Sequence, residues 1–131
     1  LFLSTFFASI IFLLIDIIWL SYSVKNFYRP NLENLLNDKP VFWAAIFFYL
    51  LYMFGLLILV IKPALDNNSV SQAFWLGLVF GLIAYGTYNL TNMATIKGWS
   101  EKVVFIDMIW GAALTSLSSS LGILIAKRII S

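Results

Sequence analysis

The chain has 131 residues, 62% of them hydrophobic and 11% charged, with a formal net charge of +2. That balance lies outside the soluble globular range and fits one integral membrane domain, while so small a charge without a clustered basic face excludes a nucleic-acid partner. Cys and His are both absent, which removes disulfides, iron–sulfur ligation, the usual haem ligand and the commonest general base; only oxygen donors are left for a metal, and neither a cofactor nor a metal site is expected.

In chain order, apolar segments run from Leu1 to Val24, Val41 to Ile61, Gln72 to Ile96 and Val103 to Ala126. Each is near the ~20 residues that cross a bilayer. The expected fold is all-α: a bundle of four transmembrane helices over 1-24, 41-61, 72-96 and 103-126, antiparallel between neighbours, in a single domain over 1-131. The first segment reads as a spanning helix and not as a signal peptide, because a signal h-region has about 7 to 15 residues and this stretch is longer and carries Asp16. A few residues are expected before Leu1. No lysine stands mid-helix, which argues against a retinal Schiff base.

Between the first two segments, Pro30 sits at a helix-start position, and Leu32, Leu35 and Leu36 share one helical face against Glu33, Asn34 and Asn37. This spacing predicts a short interfacial helix over 31-37. Trp43, Trp75 and Trp99 lie near segment ends, where indole rings anchor at headgroup level. Loops 1-2 and 3-4 carry Lys25, Arg29, Lys39, Lys97 and Lys102, against Lys62, Lys127 and Arg128 on the other side. The positive-inside rule then places those two loops in the cytoplasm of a plasma-membrane protein.

One five-residue pattern occurs twice, at Ile15-Asp16-Ile17-Ile18-Trp19 and Ile106-Asp107-Met108-Ile109-Trp110. An ionisable side chain at mid-bilayer costs ~2.5–3.5 kcal/mol on insertion scales, so each aspartate must be sheltered or used. At 1.5 Å per residue, Asp16 lies about 13 Å before Lys25 and Asp107 about 8 Å after Lys102, on the same side of the membrane. In the third segment Tyr85, Asn89 and Asn92 follow one another on one face, with Tyr88 and Thr95 flanking and Gly77 and Gly81 deeper. Asn89 and Asn92 fall about 12 Å and 8 Å from Lys97, and Tyr49 and Tyr52 reach the same zone. Thr5, Ser9, Asp16 and Ser23 line one side of the first helix; Asp107, Gly111, Ser118 and Gly122 line one side of the fourth. Such small residues let helix backbones approach closely in lipid. The Ser116 to Ser120 cluster reads as packing and back-bonding within its own helix.

The candidate ligand-binding residues are therefore Asp16, Asp107, Tyr85, Asn89, Asn92, Tyr49 and Tyr52, with Trp19, Trp110, Tyr88 and Thr95 secondary and no catalytic residue assigned. Interhelical polar glue averages only ~0.6 kcal/mol in membrane proteins, well below the insertion cost, which favours a functional site. The reading is a binding or permeation protein for a small polar molecule, a cation or proton, or a lipid headgroup. Two alternatives stand beside it: a membrane enzyme acting on lipid with one Asp as acid and one as base, and a structural or accessory subunit of a membrane assembly. Expected partners are membrane lipids and a second copy or another membrane protein.

The segments Phe12 to Leu20, Phe27-Tyr28-Arg29-Pro30, Phe48 to Tyr52, Tyr85 to Thr95 with Trp99, and Ile106 to Gly111 resemble a bacterial family of small four-helix membrane proteins, domain of unknown function 2177. The resemblance covers nearly the whole chain, and its third-helix motif is the specific part. It implies a bacterial inner-membrane protein and supplies no activity. In that family an acidic residue is expected where Asn89 stands and often Pro where Ser100 stands, so this chain has one carboxylate fewer at the site. Neighbouring genes in the family often look like lipid-modifying enzymes.

Overall fold

The computed structural model describes residues 1–23, Pro30 and 41–130. The expected interfacial helix over 31-37 and the basic residues Lys25, Arg29 and Lys39 lie outside the described residues. Among the described residues four long helices make up the fold: α1 (Phe2–Ser23), α2 (Phe42–Asp66), α3 (Val70–Thr95) and α4 (Glu101–Ile130). Each is long and apolar enough to cross a membrane. The chain is an all-α membrane protein.

The four helices do not share the interior equally. In α4, 56% of the most apolar window is buried, against 22% in each of the others, so α4 is the central helix. Helices α1 and α3 pack along α4 on separate flanks, and α2 joins chiefly through its second half. Lipid tails are as apolar as the side chains, so close backbone packing must hold such helices together. Gly81 of α3 lies against the Gly111 carbonyl of α4, and a Cβ there would sit 2.9 Å from the Ala112 Cα. On the other flank, a Cβ on Gly122 would sit 2.7 Å from the Ala8 nitrogen of α1. These small residues bring three backbones into direct contact.

Two apolar clusters fill the interior. At the loop 2-3 end, Ala8, Leu56, Val60, Ile61, Ala64, Ala73 and Ile123 are buried together. Nearer the aspartates, Phe12, Tyr52 and Leu114 form a second group, with Ile15, Tyr49, Phe80, Tyr85 and Trp110 packed on it.

Helix α2 continues past the end expected at Ile61, through Pro63 to Asp66. Proline has no N–H to donate, and its ring clashes with the preceding turn of a regular helix. Just before it, Leu57–Ile61 form a π turn, closed by the Lys62 N–H on the Leu57 carbonyl. The wider turn absorbs the misfit, so the helix passes through Pro63. Past Asn67 and Asn68, the Ser69 hydroxyl accepts the Gln72 N–H at 3.0 Å and starts α3. Lys127 donates to the Asn68 side-chain oxygen at 2.7 Å, tying this loop to the end of α4.

The hydroxyls of α4 turn largely onto their own helix. Thr115 donates to the Gly111 carbonyl (2.7 Å), Ser119 to Thr115 (2.7 Å) and Ser120 to Ser116 (2.6 Å). Back-bonding of this kind satisfies a buried hydroxyl without a second helix. The Ser118 hydroxyl is buried with no hydrogen-bond partner.

Candidate functional site

Asp16 lies on the inward face of α1 and is 6% exposed. Its Oδ2 accepts the Tyr49 hydroxyl from α2, and its Oδ1 accepts the Trp110 indole N–H from α4 at 3.4 Å. One carboxylate thus links three helices, and both donors are neutral. The Trp110 ring also stacks on Trp19, with centroids 4.7 Å apart and planes inclined by 23°. Trp19 is one turn beyond Asp16, and Trp110 one turn beyond Asp107. The repeated Asp-X-X-Trp spacing therefore crosses over: the tryptophan of the second copy serves the aspartate of the first.

Asp107 is half-buried on α4, and its Oδ2 accepts the Asn89 amide of α3 at 2.7 Å. The same amide nitrogen donates to the Tyr85 carbonyl at 2.9 Å. A backbone carbonyl can only accept, so this second bond fixes which way the Asn89 amide points. Its oxygen, Oδ1, is consequently turned away from both partners and is buried with none of its own. Asn89 is fully enclosed. An acceptor left so in a low-dielectric interior costs about 1–3 kcal/mol.

Asp16 meets α4 at Trp110, three residues along from Asp107, a rise of about 4.5 Å. The Tyr85 ring lies directly against the backbone of Gly111, in the next turn, where a Cβ would overlap it. Tyr52 of α2 shares a hydrogen bond of 2.6 Å with Thr115, one turn further, and its ring meets Tyr85 edge-on at 6.1 Å. Side chains from all four helices thereby follow one face of α4 from Asp107 to Thr115.

Of the candidate residues, Asp16, Tyr49 and Trp110 are brought together, as are Asp107, Asn89 and Tyr85, with Tyr52 closing the deep end and Trp19 stacked beside them. Asn92 is half-buried and pairs with Tyr88 on its own helix. Tyr88 is exposed and packs edge-on against Trp99 at 5.8 Å. Thr95 is exposed and donates to the Thr91 carbonyl at 2.8 Å. Of these three, Tyr88 lies within electrostatic reach of Asp107. Thr115, absent from the candidate set, belongs to the belt; its signal was its place one turn past Gly111 on the Asp107 stripe. Among the described residues no group of three or more acidic side chains is arranged for a metal.

The profile of the family described as "Predicted membrane protein (DUF2177)" matches residues 1–124. The chain belongs to the DUF2177 family. No curated protein and no solved structure matches it. In this DUF2177 protein, polar side chains from all four helices form one belt along α4.

Proposed function

We propose that this DUF2177 protein binds a small polar or cationic group, or a lipid headgroup, at an intramembrane site formed by Asp16, Asp107, Asn89, Tyr49, Tyr52 and Tyr85. The observation that carries the reading is the imbalance around these side chains. Asp16 receives interhelical hydrogen bonds from Tyr49 and Trp110, worth together ~1.2 kcal/mol at the membrane average. That is under half the ~2.5–3.5 kcal/mol cost of placing the carboxylate there. Beside Asp107, the Asn89 Oδ1 remains a buried acceptor without a donor. Both deficits are relieved by an occupant that brings donors or positive charge. The basic residues of loops 1-2 and 3-4 favour a plasma-membrane orientation with those loops cytoplasmic and the site nearer that face.

The test is thermal unfolding of the purified protein with and without a panel of lipids, amines and inorganic cations. A stabilising compound is expected, and Asp16→Asn should abolish its effect. Unchanged stabilisation in both Asp16→Asn and Asp107→Asn would sink the proposal. A second reading, helix bracing, is favoured by the fact that each described side-chain hydrogen bond of Asp16 reaches another helix. It requires the same substitutions to lower intrinsic stability with no compound stabilising the parent.

A further inference from the structure

Helix α2 is held unevenly. Within its π turn Val60 and Ile61, and beyond it Ala64, are fully enclosed among Ala8, Ala73 and Ile123. Before the turn, over Phe42–Leu56, only Tyr52 and Leu56 are buried. Phe42, Phe47, Leu50, Leu51 and Phe54 in that half turn outward and are largely exposed. Among the described residues its polar attachments to the other helices are the hydroxyl of Tyr49 on Asp16 and that of Tyr52 on Thr115. The anchored half begins in the Leu57–Ile61 π turn, a local departure from α geometry of the kind that concentrates at functional positions.

Resting on the binding reading above, we infer that the first half of α2 is a lateral gate, and that the occupant of the site is a lipid bearing an ammonium headgroup. The half-helix pivots at the π turn, releases Tyr49 and Tyr52, and opens the Asp16 side of the belt to the bilayer, because its outer face meets acyl chains and not water. The ammonium N–H then takes the place of the Tyr49 O–H on Asp16 Oδ2. Tyr49 is a neutral donor to a carboxylate. A cationic donor supplies the charge that neither Tyr49 nor Trp110 brings. Tyr49 thus holds the carboxylate while the site is closed and leaves its charge for the ammonium to neutralise.

The native chain has no cysteine, so nitroxide pairs can be placed without background substitutions. One pair, L51C with I109C, uses exposed positions on the gate and on α4; a control pair, L59C with L124C, uses exposed positions at the pivot and on α4. Distances are measured by pulsed electron resonance in phosphatidylcholine vesicles, with and without phosphatidylethanolamine. Adding the ethanolamine lipid should lengthen the gate distance and leave the control unchanged. In phosphatidylcholine alone, Y49F/Y52F should raise the open population roughly sevenfold, the loss of two average interhelical hydrogen bonds. A sharp, unaltered control distribution in that variant reports an intact fold. An unchanged gate distance in the ethanolamine lipid, or equal lengthening of both pairs, overturns the inference. So does lengthening by free ethanolamine in phosphatidylcholine vesicles, which would make the occupant water-borne. Each of these failures leaves the binding proposal standing if thermal stabilisation still depends on Asp16.

Discussion

Gly81→Ala probes the contact on which the Asn89–Asp107 pair depends. The new Cβ would lie 2.9 Å from the Ala112 Cα and 2.8 Å from the Thr115 hydroxyl, and closer still to the Gly111 carbonyl. Carbon atoms pack at about 3.5–4.0 Å, so α3 must withdraw from α4 by about 1 Å. The Ala112 Cα and the Gly111 carbonyl cannot yield, since both belong to the backbone of the central helix. The same withdrawal stretches the 2.7 Å bond from Asn89 to Asp107 to about 3.7 Å, beyond hydrogen-bonding range. Overpacking of this kind costs about 1–3 kcal/mol, and the lost interhelical bond adds ~0.6 kcal/mol. The better helix propensity of alanine returns at most ~1 kcal/mol. The net is a loss of about 2 kcal/mol, close to thirtyfold in the folded-to-unfolded ratio. Reversible unfolding in mixed micelles measures it. Gly55→Ala serves as the comparison, because its Cβ would meet only the rim of the Phe80 ring at 3.0 Å and a side chain can move. Equal stability of the Gly81 variant and the parent would refute the close crossing and the placement of Asn89 that follows from it.

Tyr52→Phe should cost under 1 kcal/mol by the same assay, near the membrane average for one interhelical bond, since Thr115 keeps its own bond to the Gly111 carbonyl; a loss above 2 kcal/mol would mean that Tyr52 carries more than this contact. Ser69→Ala should cost about 1 kcal/mol through the first turn of α3, and faster hydrogen exchange at the Gln72 amide would check it. Lys62→Ala should change stability by at most about 0.5 kcal/mol, because its partner Asp66 is an exposed i,i+4 neighbour at 2.9 Å. Asp16→Asn, in thermal unfolding with a stabilising compound present, should leave a folded protein that the compound no longer stabilises.

Hydropathy and spacing were enough to read the four spans, because a bilayer demands about 20 apolar residues whatever the neighbours are. The same holds for the back-bonding of Ser119 and Ser120, which is local to one helix. Where a neighbour decides, the reading falls short. The apolar run ends at Ile61, yet the π turn before Pro63 carries α2 on to Asp66. Asn92 and Thr95 share the polar side of α3 with Asn89, but helical drift turns Thr95 out, and Asn92 engages Tyr88 on its own helix.

The amino-acid sequence alone specifies four apolar spans, since a bilayer demands a set length of apolar helix at a fixed rise per residue. It could not determine which donor meets which carboxylate. That Trp110 serves Asp16 and Asn89 serves Asp107 depends on how the helices are rotated and how near they come. Tertiary packing alone sets both, through the backbone contacts that Gly81 and Gly122 allow against α4 and α1.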